Sequence, residues 1–257
     1  MHAAHALSFT ALLGLPEIDA GADLAQLILA ALHAQALSLS AHDVLVIAQK
    51  IVSKAEGRAV LLDEVIPSPE ARRLAALTAK DPRLVELILA ESHEIVRAAP
   101  NVLIARHRLG HVMANAGVDR SNVPRAGERE QVLLLPLDPD RSAAQLQQRL
   151  QQIVQPLGVI ISDSFGRPWR LGATNVAIGA AGVPALLDRR GERDRNGRAL
   201  QITEVALADA IAAGAGAVMG EGAESTPVVL LRGLDLEIAA ERNARSLLRP
   251  LQQDLFR

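Results

Sequence analysis

The chain of 257 residues predicts a layered architecture of strands and helices, α/β or α+β. Short β-branched runs and helices with strong start signals between them point there. Their irregular order excludes an eightfold β/α barrel. Hydrophobic residues make up 49% and charged residues 22%, enough for a sizeable core and too little charge for disorder.

Met1 to Leu15 lacks a Lys/Arg-rich start, so no signal peptide is expected. Ala20 to Ala41 is rich in Ala and Leu but broken by Asp23, Gln26 and His33, the pattern of an amphipathic helix and not of a membrane span. Val44–Ala48 reads as the next strand. Ser68-Pro69-Glu70 starts a helix with a cap, a first-turn proline and an acid at the positive end of the dipole. Asp81-Pro82 repeats the signal for a helix from Arg83 to about Ser92. Strands follow at Val102–Ala105 and Val132–Leu135. A helix from Asp140 to Val154 places Leu146, Leu150 and Ile153 on one face. Val159–Ser162, Val176–Ile178 and Val228–Leu231 complete the strands. Thr203 is expected to cap a helix through Ala213 that Gly214 and Gly216 loosen. Loops are expected at Asp119–Glu130, Ser164–Gly172 and Asp188–Arg198, the last with five Arg and three acids, either a solvated loop or a ligand contact.

The charge balance is near neutral, 27 basic against 29 acidic residues, so neither nucleic acid nor a membrane surface is expected as a partner. There is no cysteine, which excludes disulfides, thiolate zinc sites and cysteine nucleophiles. The redox compartment stays open, and the cytoplasm is the default expectation. Of the 27 basic residues only Lys50, Lys54 and Lys80 are lysines, two of them within five residues of each other.

Four polar clusters interrupt apolar runs. Gln49-Lys50-Ile51-Val52-Ser53-Lys54 follows a buried-looking strand, where ligands bind in open sheets and an ammonium can meet phosphate; a surface strand with solvated lysines is the alternative. Ala114 to Asn122 sets Asp119 in a small-residue turn, suited to a hard cation or to an ordinary Asx turn. The apolar strand from Gly158 delivers Asp163 and Ser164, an oxygen set for Mg²⁺ or Mn²⁺ bound with a nucleotide, followed by Arg167 and Arg170 as phosphate or carboxylate partners. Met219 to Thr226 is the fourth, and its Gly220 and Gly222 around Glu221 allow close backbone approach to a phosphate, without the order of a Walker loop. His107 and His111 flank an expected strand turn and give no metal spacing; His2, His5, His33 and His42 read as surface residues. Two acids with oxygen ligands and Lys and Arg as phosphate partners suggest phosphoryl chemistry or nucleotide-driven ligation.

These clusters together resemble the coenzyme F420-0:gamma-glutamyl ligase family over nearly the whole chain. The resemblance is carried by Gly14 to Ile18, Val52 to Arg58, Arg108 to Gly110, Ala116 to Asn122, Ser162 to Arg170, Val176 to Gly179, Thr203 to Asp209 and Pro227 to Gly233. It implies a GTP-dependent amide ligase that adds L-glutamate to the deazaflavin coenzyme F420-0 through an acyl phosphate and then builds a gamma-linked tail. It implies an α+β fold of mixed sheets in two intertwined lobes, about residues 1–75 with 200–257 and about 76–199, within one unit over 1–257. A homodimer is implied, and a C-terminal flavin reductase domain is not expected. Asp119, Asp163, Ser164 and Glu221 match metal positions for two divalent ions, Mn²⁺ or Mg²⁺, with a potassium ion as a further expectation. Leu15, Pro16, Glu17, Ile18, Gln49, Lys54, Asn122, Gly220, Glu221 and Gly222 match the nucleotide segments. Lys54, Asp119 and Asp163 are the expected catalytic residues, and Arg167, Trp169 and Arg170 the expected substrate contacts. A metal-dependent phosphohydrolase and a non-catalytic nucleotide- or deazaflavin-binding protein are the competing expectations.

Overall fold

The structure, a computed structural model, describes residues 6–121, 129–234 and 243–254. Among them the strands are β1 (Ser8–Ala11), β2 (Val44–Ala48), β3 (Ala59–Leu61), β4 (Ser92–Ala99), β5 (Val102–His107), β6 (Val112–Ala114), β7 (Gln131–Leu133), β8 (Gly158–Arg167), β9 (Arg170–Ala181), β10 (Leu186–Asp188), β11 (Glu204–Ala206) and β12 (Val228–Arg232). The α-helices are α1 (Leu24–Ala34), α2 (Gln49–Ala55), α3 (Pro69–Thr78), α4 (Pro82–Ala90), α5 (Pro139–Leu150) and α6 (Leu207–Met219). This is the α+β arrangement of mixed sheets that the resemblance implies.

The main sheet runs β1-β12-β2-β8-β9, and only β2 and β8 pair in parallel. Both are covered on two faces, which is why they read as unbroken apolar runs. Leu45, Ile47, Val159 and Ile161 join the core beneath α1 and α5. Val44, Val46 and Ile160 point the other way, into the core beneath α6. A second body of apolar packing lies outside the sheet. Leu62, Leu74, Val85, Ile88, Leu103 and Val132 bury together among α3, α4 and the three-stranded sheet β4-β5-β6.

The second core spans residues 62–134, whereas β8 and β9, expected in the lobe of residues 76–199, pair into the main sheet beside β2.

The helix starts follow their caps. Ser68 Oγ accepts the Ala71 N–H at 3.2 Å, and Asp81 Oδ1 accepts that of Arg83 at 2.8 Å. Asp138, not Asp140, caps α5, taking the Arg141 N–H at 3.1 Å. That helix stops at Leu150, and Ile153 lies exposed beyond it. The first helix is shorter than its pattern suggests, because Asp23 caps it late and it ends at Ala34.

Three expectations are corrected. Thr203 caps nothing: the next three residues form β11, and α6 begins at Leu207. Gly214 and Gly216 do not loosen α6, which continues to Met219. They let it close on the sheet, since a Cβ at Gly214 would lie 2.5 Å from Phe9 Cζ and one at Gly216 would lie 2.5 Å from Asn175 Oδ1. Ser164–Gly172 is not a loop: β8 runs to Arg167 and turns straight into β9. No helix among the described residues is long and apolar enough to cross a membrane.

Candidate active site

The carboxyl ends of the parallel pair open into a cavity of about 710 Å³. Beyond Ala48 the chain turns directly into α2, so Gln49, Lys50 and Lys54 line the cavity on a helix, not on the surface strand weighed as an alternative. Beyond Ile161 the pairing with β9 shifts register, and Ser162, Asp163 and Ser164 follow at the cavity wall. Such an irregularity in a ladder re-aims side chains at the end of a strand. Leu15 to Ile18 line one side, and the loop from Gly220 to Pro227 the other. Thr226 Oγ1 pins that loop by donating to the Met219 carbonyl at 2.7 Å.

Charge is arranged unevenly around this space. The Lys54 ammonium donates to Glu17. Lys50 Nζ lies 2.8 Å from Asp119 Oδ2 and donates to Ser121 Oγ at 2.6 Å. The Ser121 N–H is 2.7 Å from the other Asp119 oxygen. Burial works upward on Asp119, but these bonds outweigh it and hold the carboxyl below the usual range. Asp163 has the opposite balance. Burial pushes its carboxyl up to about 7, against a hydrogen bond from the Ser164 backbone, with the charges of Asp119 and Glu221 adding to the rise and Lys50 opposing it. Ser162 Oγ is buried without a hydrogen-bond partner among the described residues. Gln49 is buried, and its Oε1 accepts the Ser53 hydroxyl at 2.8 Å. Glu224 curls back to accept the Gly222 N–H at 2.7 Å.

Among the described residues no three His, Cys, Asp or Glu side chains converge on one point as ligands. Asp119 and Asp163, with the Ser164 hydroxyl, still suit a magnesium-like ion. Such ions use one or two carboxylates and take their remaining ligands from water and substrate phosphates. The uncompensated burial of Asp163 fits that use, because a cation beside it would satisfy a charge that Lys50 leaves unmet.

Of the residues expected from sequence, the fold gathers Leu15, Pro16, Glu17, Ile18, Gln49, Lys54, Asp163, Ser164, Gly220, Glu221 and Gly222 around the one cavity. Asp119 joins it through Lys50. Asn122 lies outside the described residues. Arg167, Trp169 and Arg170 stand apart on the hairpin tip, with Trp169 89% exposed. Ser162, Glu224 and Thr226, which lie within the expected motif segments without a role of their own, also line the cavity, and so does Asn175, which sequence reasoning left out. Asn175, an amide directly before the apolar run 176–181 and facing Ser164 across the ladder, carried the clearest overlooked signal. His107 and His111 are buried at the strand turn where they were expected.

The model of a family described as F420-0:Gamma-glutamyl ligase matches residues 13–233. The chain is 50% identical over 245 residues to the coenzyme F420:L-glutamate ligase of Methanopyrus kandleri, covering 94% of both chains. It is 46% identical to the protein of the same name from Methanothermobacter thermautotrophicus, over 95% of this chain and 96% of that one. The Halobacterium salinarum protein, also so named, is 42% identical over 95% of this chain and 93% of its own.

Proposed function

The chain belongs to the F420-0:gamma-glutamyl ligase family, and from that premise we propose that it joins L-glutamate to coenzyme F420-0 by a GTP-dependent amide ligation. The observation that carries this is the convergence of four chain segments, residues 15–18, 49–54, 162–164 and 220–227, on one cavity of nucleotide size.

A carboxylate is a poor electrophile towards an amine. Transfer of the γ-phosphoryl group of GTP to the terminal carboxylate of F420-0 gives an acyl phosphate and GDP. Attack by the L-glutamate amine forms the amide, expels phosphate and releases a proton. Repetition on the new γ-carboxylate extends the tail. In this scheme Lys54 holds a nucleotide phosphate as a compact point charge. Gly220 and Gly222 leave room for the nucleotide to approach the backbone of their loop. Asp119, Asp163, Ser164 and Glu221 are the groups that would hold divalent ions, Mn²⁺ or Mg²⁺. Such ions, once bound, neutralise the charge crowded onto the transferred phosphoryl group. In the same scheme Arg167 and Arg170 would meet the anionic arm of the acceptor, with Trp169, exposed between them, as a ring for the deazaflavin. A homodimer, a potassium requirement and a cytoplasmic location belong to the same proposal.

The test is mass spectrometry after incubation with F420-0, L-glutamate, Mn²⁺ and either GTP or ATP. The coenzyme gains one glutamyl residue with GTP. No GTP-dependent gain overturns the ligase. Phosphate release without glutamate would instead indicate a phosphohydrolase, and tight GTP binding without turnover a binding protein.

A further inference from the structure

We propose that Lys50 is the resident counter-ion of Asp119, and that a divalent cation reaches this carboxylate only by displacing it; the inference rests on the metal reading proposed above. Lys50 sits in the first turn of α2, at the cavity wall. Its ammonium has three protons and faces three acceptors: Asp119 Oδ2 at 2.8 Å, Ser121 Oγ at 2.6 Å and the Ser121 carbonyl at 3.4 Å. The bonding capacity of the cation is therefore fully taken up.

Each Asp119 oxygen has a partner of its own. Oδ1 accepts the Ser121 N–H at 2.7 Å, and Oδ2 takes Lys50. A magnesium-like ion needs a carboxylate oxygen at roughly 2.1 Å. An ammonium held 2.8 Å from that same Oδ2 competes for the oxygen and repels the incoming charge. The ion pair thus keeps the acidic site formed and paired while no metal is there. Lys54 does not share this duty, because its ammonium is turned to Glu17.

The displacement has a consequence for ligand order. An ammonium released into the cavity wall needs a new anionic partner, and a nucleotide phosphate is one. Nucleotide and metal should then bind with positive coupling, part of it carried by Lys50.

The test reads metal binding directly, independent of catalysis. Metal-free protein is titrated with Mn²⁺ alone, following free Mn²⁺ by electron paramagnetic resonance. Lys50→Met should tighten Mn²⁺ binding on the order of tenfold, by removing competitor and repulsion together. Its metal-free melting temperature should fall, and Mn²⁺ should restore it by a larger increment than in the unaltered protein. Ser121→Ala keeps the N–H bond to Asp119 and removes one anchor of Lys50. It should tighten Mn²⁺ by about threefold, and it serves if Lys50→Met fails to fold. A lysine with a merely structural role would lower stability in both states and leave Mn²⁺ affinity alone. Affinity within about twofold of the unaltered protein in the folded variants, or weaker, overturns the inference. Absence of Mn²⁺ binding in the unaltered protein overturns it together with the metal reading. Failed ligation by the unaltered protein, with Mn²⁺ binding tightened in the variants, overturns the ligase alone and supports the counter-ion.

Discussion

Ala48 stands opposite Ser162 in the parallel register of β2 and β8, and both border the cavity. Each is followed in the chain by the residues that carry charge: Gln49 and Lys50 after one, Asp163 and Ser164 after the other. Two parallel neighbours lie about 4.8 Å apart and end at the same edge. One pairing therefore sets cationic and acidic segments side by side. The remaining strands of the sheet are antiparallel to their neighbours, so this edge is its one place where two adjacent carboxyl ends meet.

Asp163→Asn should abolish ligation and leave the fold intact. The side chain is half-buried and lacks a paired cation, so a neutral amide of the same volume removes no stabilising partner. The expected loss in kcat is about a hundredfold or more, the scale seen when a charge-stabilising group leaves an active site. Thermal melts and turnover with saturating Mn²⁺ measure both. Unchanged activity would remove Asp163 from the machinery.

Lys54→Met should act on nucleotide binding more than on turnover at saturation. The ammonium is mostly buried and its partner in the structure is the exposed Glu17. Replacement of that partner by a phosphate would make a charge-assisted bond, worth about 1.5–3 kcal/mol. The KM for GTP should rise by roughly tenfold to a hundredfold. A KM within twofold of the original, with kcat alone reduced, would contradict a phosphate contact.

Local signals gave the elements, and their limits are instructive. Ser68, Asp81 and the runs at 44–48 and 159–162 were legible because cap and burial are written into neighbouring residues. The parallel pairing of β8 with β2 was not, because it spans more than a hundred residues and no local pattern encodes it. Gly214 and Gly216 misled for a related reason: their value lies in Phe9 and Asn175, which belong to distant strands. At the site, acids and lysines stood out against apolar surroundings. Ser162 and Asn175 did not, since a hydroxyl or amide in a strand becomes informative only when its burial and neighbours are known.

Gly179→Ala should destabilise the protein by about 3 kcal/mol, whereas Gly166→Ala should change stability little. A Cβ at Gly179 would lie 2.3 Å from the Pro139 carbonyl oxygen, backbone that opens α5 and cannot swing aside. That helix is tied to the same strand by Asp140, whose Oδ1 accepts the Ala180 N–H at 2.9 Å. Gly166 has nothing within 4 Å of its added carbon. Urea titrations of the two variants make the comparison, and equal midpoints would contradict the close packing of α5 on β9.

His111 should make stability fall on mild acidification. Burial, with the adjacent His107 second, holds its imidazole down at about 4. The unfolded chain titrates near 6.5, so between these values the unfolded state binds the extra proton. Stability is complete above about 6.5 and is lost as the pH falls through 4, by about 2 kcal/mol at pH 5. His111→Leu should remove this step while keeping an apolar contact with Phe165, whose ring centroid lies 5.7 Å from that of His111. An unchanged slope between pH 7 and 5 would assign the loss elsewhere.

Glu91 governs a second, more acidic window. It is buried and receives Arg108 Nη2 at 2.6 Å and Arg58 Nη2 at 2.9 Å, with His107 Nε2 at 3.3 Å. Burial alone would raise its carboxyl, but His107, Arg108 and Arg58 together hold it down at about 2. The unfolded value is near 4.3, so the folded state is the one that stays ionised in between. The stabilisation, about 3 kcal/mol, is complete above the unfolded value and disappears as the pH drops towards 2. Arg58 follows α2 in the chain, whereas Glu91 follows α4 in the second core, so the same pair ties the cavity-lining helix to that core. Glu91→Gln should therefore lower stability at pH 7 by a similar amount, flatten the acid limb between pH 4.3 and 2, and loosen the setting of Lys50 and Lys54. Denaturant melts across that range, read beside the KM for GTP, separate the two effects. A steep acid limb surviving in Glu91→Gln would show that other carboxylates carry it.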